Sequence, residues 1–326
     1  MPNPLPACDI LVVEFFNDFK KLNDGSYVDP LWLALRRALN VTARDRPYSN
    51  RADTFLSELR AQKLFAEDRD RFWRLHPRLR GRGEPLLGEH VSVQVNSRQV
   101  TLFGSDLRLN TDGPTMPVAR LLSQLLSEAQ PRLVVHVGLG GGVIADHQGG
   151  DVTVASRGRY LLRGELAGSA VNEQTFGGIW SAPAGLFSGI NLASLQEPAL
   201  MPASPHYERI PNPQPAPHTP VIRVEPTLPV LTSPRITDDF FSVASPDTGP
   251  SYWGDIACAV DMDAATVAAT CGSTTPCALV VGHATPAIKR LQADLRQGWA
   301  EHMFDHFAEA AAENAAKVVE RIVSRA

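Results

Sequence analysis

Two stretches of this 326-residue chain hold reactive residues at informative spacing. Val260, Asp261, Met262 and Asp263 set two carboxylates around a methionine, where an apolar run gives way to Ala264, Ala265, Thr266, Val267 and Ala268. Upstream, Thr237, Asp238, Asp239, Phe240 and Phe241 put further acids beside a pair of aromatics. Carboxylates at the end of a strand can anchor hydroxyls, hold a water or move a proton, and an aromatic can cover a planar ligand. Asp261-x-Asp263 also has the spacing of a metal-binding acid pair, but two acids without further ligands are a weak metal signal. A third stretch, Gly138, Gly140, Gly141 and Gly142, follows the apolar run Leu133–Val137. It fails as a dinucleotide fingerprint because Val143 stands at the third glycine position, and no Lys-Ser or Lys-Thr pair follows to make a phosphate loop. What survives is that Gly138 and Gly140 allow close approach to the backbone.

The elements that must position these residues can be read from the pattern of apolar positions. Ile10–Val13, Leu133–Val137, Asp151–Ser156 and Ala278–Val281 are short apolar runs that predict buried strands. Val91–Val95 and Gln99–Phe103 alternate as a hairpin around Asn96, Ser97 and Arg98. Pro117–Gln130 has helical spacing, with Val118, Leu121, Leu122, Leu125 and Leu126 on one side. Residues 286–324 predict a long helical region with a break or kink at Gly298. Helical spacing between residues 30 and 75 reads as an insertion at about 25–85, ending in the basic segment 69–82. Residues 198–229 carry recurrent prolines, which remove backbone donors and exclude a central strand or a helix interior, so they read as an extended arm.

Composition bounds the class. Apolar residues make up 44% and charged residues 20%, ordinary for a globular chain with a sizeable core, and one domain is expected. The net charge of −4, from 31 basic and 35 acidic residues, offers no global attraction to nucleic acid or to an anionic membrane. Cys8, Cys258, Cys271 and Cys277 form no CxxC pair and sit mostly in apolar segments, the pattern of reduced thiols. With no basic leader and no apolar run of about eighteen residues, a cytoplasmic location is expected.

The order of these segments resembles the nucleoside phosphorylase and nucleosidase superfamily, nearest in pattern to the methylthioadenosine/S-adenosylhomocysteine nucleosidases. Asp9–Val13 through Asp18 is similar to the first strand and its water-contacting acid, and Val137–Gly142 to the central glycine turn. Gly150–Ser156 matches the Gly-Asp-Val strand, while Arg159-Tyr160 and Thr175-Phe176-Gly177 match the segment after it. Asp239-x-Phe241 is similar to the base-contacting element, and Val260–Asp263 to the ribose element. The resemblance implies a three-layer α/β fold with a central mixed, twisted sheet flanked by helices. It also implies cleavage of an N-glycosidic bond in a purine nucleoside or related nucleotide, without cofactor or metal, in a homodimer or larger homo-oligomer. Asp18 would handle water, Asp263 and the Met262 amide the ribose, and Phe241 and Asp239 the base. Two positions depart from the family pattern. Its ribose glutamate is Asp263 here, one methylene shorter, and its acid after the last strand falls at Gly282-His283, making His283 the candidate leaving-group acid. Leu139 and Val137 at the glycine cluster give an attacking phosphate no donor, which favours hydrolysis over phosphorolysis. A nucleoside-binding protein without turnover is the remaining alternative.

Overall fold

The computed structural model describes residues 4–15, 20–21, 27–50, 87–105, 116–144, 146–161, 168, 170–195, 217–232, 251–285 and 296–326. The first apolar run becomes β1 (Ile10–Phe15), with every side chain buried. There follow β2 (Lys20–Lys21), β3 (Tyr27–Val28), α1 (Pro30–Ala38), β4 (Arg46–Tyr48), β5 (Gly88–Val95), β6 (Arg98–Ser105) and α2 (Met116–Ala129). The middle of the chain gives β7 (Leu133–Gly142), β8 (Val152–Ala155), β9 (Arg157–Tyr160), β10 (Thr175–Gly177), β11 (Ile222–Glu225) and β12 (Val230–Thr232). The last part gives α3 (Ser251–Ile256), β13 (Ala259–Asp261), α4 (Ala264–Cys271), β14 (Cys277–Thr285) and α5 (Arg296–Arg325).

Unbroken apolar runs suit strands covered on both faces, and the side chains of β1 divide accordingly. Leu11 and Val13 pack with Leu121 and Leu125 of α2 and Val267 of α4. Ile10 and Val12 pack with Leu31 and Leu35 of α1 and Val319 of α5. Between these helical layers lies one mixed sheet of twelve strands, so the expected three-layer α/β architecture is what the chain adopts. At its centre β1 runs parallel to β6 and β7, and β7 runs parallel to β14. The β5–β6 hairpin turns through Asn96 and Ser97, both at positive φ, as a two-residue turn compatible with strand twist requires.

The sheet divides along one flank of β7. Leu133–His136 pair with β1, whereas Gly141 and Gly142 pair with the antiparallel β13. On the other flank β14 follows β7 from Val134 to Gly141. Among the described residues, no strand pairs with this flank of β7 at Val137–Gly140, between its β1 and β13 partners. Here the structure corrects a sequence expectation, because the glycine cluster is the second half of a ten-residue strand rather than a turn. Likewise α5 continues unbroken through Gly298. Its small residues lie close against β14, where a Cβ on Gly282 would stand 2.7 Å from the Ala311 carbonyl oxygen.

Of the expected insertion, residues 27–50 hold β3, α1 and β4, and residues 51–86, with the basic segment, lie outside the described residues. Residues 198–216 of the proline-rich arm also lie outside them. Further along the arm, Ile222–Glu225 forms β11, parallel to β8 at one edge of the sheet.

Candidate active site

Asp261 ends β13 and is committed to structure. Its Oδ1 accepts hydrogen bonds from the Thr232 hydroxyl at 3.1 Å and from the backbone N–H groups of Asp263 and Ala264 at 3.1 and 2.9 Å. Its Oδ2 lies 2.8 Å from His136 Nε2, and both side chains are buried. The two backbone donors belong to the start of α4, where a helix leaves its first N–H groups without internal partners. Asp261 thus joins the end of β13 to the beginning of α4. Thr232 extends the link by accepting from Ala265 N–H at 2.8 Å. A carboxylate so occupied has little left for a metal, and among the described residues no group of three or more His, Cys, Asp or Glu side chains has the arrangement of a metal site.

Met262 and Asp263 are presented by this brace. Both are buried, with Asp263 only 1% exposed. Asp263 occupies the N-cap position of α4 but makes no side-chain capping bond to the helix.

The glycines pack the same junction. A Cβ on Gly140 would lie 2.2 Å from the Val260 carbonyl oxygen and 2.7 Å from Val281 Cγ1, and one on Gly138 would lie 3.3 Å from both Asp261 Oδ2 and His136 Nε2. The protein therefore fills the space a side chain would take at both positions. On these sides Gly138 and Gly140 adjoin β13 and the His136–Asp261 pair.

Gly140 is also the register partner of His283 on β14. His283 is fully buried, with Nε2 2.9 Å from the Thr153 hydroxyl and its ring 4.8 Å from that of His147. Burial, with smaller contributions from His147 and Arg223, holds His283 well below the ordinary histidine pKa. Burial and then Arg223 push His147 down to about 4, against the opposing pull of Asp146 and Asp151. Both rings are therefore neutral at pH 7. A neutral imidazole can donate or accept a hydrogen bond but holds no readily lost proton, so this environment does not suit the acid role expected of His283.

Asp151, in the expected Gly-Asp-Val element, secures the loop before β8. It accepts from Gln148 N–H at 3.1 Å and Val221 N–H at 2.9 Å, lies 2.7 Å from His218 Nε2, and stands 3.7 Å from Arg223 Nη2. Asp18, Asp239 and Phe241 lie outside the described residues.

The structure thus sets Gly138 and Gly140 against Asp261 and Val260, just before Met262 and Asp263, and pairs Gly140 with His283 across β7 and β14. It adds residues that the sequence reading passed over. His136 and Thr232 hold Asp261, and Thr153 and His147 surround His283. Thr285 ends β14 beyond a register irregularity, with a buried hydroxyl that has no hydrogen-bond partner among the described residues. Glu14, also buried, is the second-to-last residue of β1. A polar residue inside an apolar run was a signal for His136; the others lie in ordinary sequence contexts.

No family model and no curated protein matches the sequence. Solved structures do match the fold. The 5′-methylthioadenosine/S-adenosylhomocysteine nucleosidase of Neisseria meningitidis, solved with methylthio-immucillin-A, is 14% identical, with 98% of this chain and 100% of that one covered and a TM-score of 0.53. Futalosine hydrolase of Helicobacter pylori is 11% identical, with 98% of each chain covered and a TM-score of 0.55. An S-adenosylhomocysteine nucleosidase of Streptococcus pyogenes, solved with 5-methylthiotubericidin, is 12% identical with the same coverage and a TM-score of 0.51. Sequence order, the divided mixed sheet and these likenesses converge on one result: the chain has the fold of the nucleoside phosphorylase and nucleosidase superfamily.

Proposed function

We propose that the protein hydrolyses the N-glycosidic bond of a purine nucleoside or a related nucleotide, releasing the free base. The observation that carries this reading is the Asp263 carboxylate, buried at the start of α4, where its backbone N–H is held by Asp261. Breaking the bond between C1′ and the base nitrogen leaves positive charge on the ribose and puts the bonding electrons on the base. Asp263, with the Met262 backbone amide, would hold the ribose hydroxyls as that charge develops. Asp18 would take a proton from the attacking water as its oxygen bonds to C1′, the departing base would take one proton from solvent water, and Asp18 would return its own to solvent, so that one water is consumed for each bond broken. Phe241 would cover the base and Asp239 would bond its edge. His283 would serve the leaving group as a neutral donor. If the Thr153 hydroxyl donates to Nε2, the ring proton sits on Nδ1, which has no hydrogen-bond partner among the described residues.

A second reading, nucleoside binding without turnover, is favoured by the neutral state of His283. Phosphorolysis has less support, because the buried Val137 and the apolar Leu139 stand at the glycine cluster of β7. The test is chromatography of a panel of purine nucleosides and nucleotides after incubation with the protein, with and without phosphate. Base release without phosphate supports hydrolysis, and it should fall by about 10²-fold or more in Asp263→Ala. Ribose 1-phosphate formed only with phosphate would replace hydrolysis by phosphorolysis. Tight binding with no base release would favour the second reading. Full turnover in Asp263→Ala would remove Asp263 from the site.

A further inference from the structure

A cavity of about 600 Å³ lies at the opposite end of the sheet, where Ile10 begins β1, Leu133 begins β7 and Pro276 precedes β14. At the usual rise of a strand it is roughly 25 Å along β14 from Thr285. Three arginines from separate elements converge on it. Arg98 starts β6, Arg132 precedes β7 and Arg325 ends α5. Among the described residues, none of these guanidiniums has a carboxylate within 4.0 Å. Asp9 is the one acidic side chain among the described lining residues, and its Oδ2 already accepts Gln99 N–H at 2.9 Å. Among the described lining residues, three guanidiniums stand against this one side-chain carboxylate.

The rest of the lining is apolar and supported from behind. Leu186 and Ile322 are buried, and Trp180 packs against the core on the α1 and α5 side of the sheet. The nearby backbone is already hydrogen-bonded, with Asp9 O accepting from Arg132 and Leu133 N–H and Pro276 O accepting from Val134 N–H. The uncommitted hydrogen-bonding groups are thus mainly guanidinium N–H donors, whose planar forks match carboxylate and phosphate oxygens. The volume falls in the range of small-molecule sites, and an apolar surface with a few converging charges is how such sites recognise ligands.

We propose that this cavity binds a small organic anion, a phosphate or carboxylate joined to a planar apolar body. Arg98, Arg132 and Arg325 receive the anionic group, while Trp180, Leu186 and Ile322 receive the body. The site is separate from the one assigned to nucleoside cleavage and stands whether or not that assignment holds.

Calorimetric titration of the full chain with phenyl phosphate, benzoate, phenol and inorganic phosphate tests it. Phenyl phosphate, benzoate or both should bind at least about tenfold more tightly than phenol or inorganic phosphate, and the better of the two identifies the anionic group. Arg98→Gln and Arg132→Gln should each weaken that binding about tenfold, and Arg132→Lys should recover part of the loss because it keeps charge without the fork. Asp263→Ala should leave it unchanged. The proposal is overturned if neither anion binds at about 10 mM, if phenol binds equally well, or if the arginine variants bind like the wild type. It is equally overturned if Asp263→Ala abolishes binding, since the anion would then occupy the other site. Thermal melts of each variant identify any loss caused by unfolding.

Discussion

Replacing Asp261 tests whether one carboxylate holds the junction of β13 and α4. Asp261→Ala removes the acceptor for the Thr232 hydroxyl and for two backbone N–H groups, together with the partner of His136 Nε2, all in a buried setting. An abandoned buried donor costs about 1–3 kcal/mol, so four give a range of roughly 4–12 kcal/mol. Water entering the space would recover part of this, and a loss of about 4 kcal/mol is expected. That is a large share of the roughly 5–15 kcal/mol that holds a typical domain folded. Asp261→Asn keeps an oxygen in the Oδ1 position but turns an NH₂ group toward His136 Nε2, which must then accept instead of donate. Its expected cost is smaller, about 1–2 kcal/mol. Urea unfolding followed by far-UV circular dichroism and tryptophan fluorescence measures both variants, and coincidence of the two signals checks that one transition is being compared. The reasoning is refuted if Asp261→Ala loses less than about 1 kcal/mol, or if Asn costs as much as Ala.

Two further predictions concern the same core. His147 has a folded-state pKa of about 4, below its unfolded value, so the unfolded chain binds more protons in between and stability falls as pH drops from 6.5 toward 4. Its share between pH 6.5 and 5 is about 1.5 kcal/mol, His283 acts in the same direction, and His147→Phe should flatten the urea midpoint against pH over this interval. An unchanged slope in that variant would show that other groups set the acid sensitivity. Gly140→Ala puts a Cβ against the Val260 carbonyl and should cost about 3 kcal/mol or prevent folding, whereas Gly168, with nothing within 4 Å of its Cβ position, should accept alanine within about 0.5 kcal/mol. Similar melting temperatures for the two variants would contradict the close approach of β13 to β7.

The residue order determined the layers of this protein. Unbroken apolar runs at Ile10–Val13, Leu133–Val137 and Ala278–Val281 specify strands buried on both faces, and the spacing of Val118, Leu121 and Leu125 specifies a helix to cover one of them. The step from strand to small-residue helix at Val260–Ala268 was equally legible, because the apolar period changes there. Tertiary structure decided what the residues at that step do. Only the antiparallel approach of β13 to β7 brings Asp261 to His136, 125 residues away in sequence, and sets β13 against Gly140. Likewise, His283 has an ordinary histidine's chemistry in the sequence. Burial beside His147, Thr153 and Arg223 makes it neutral, because the energy of a charge depends on its surroundings, and folding assembles those from distant parts of the chain.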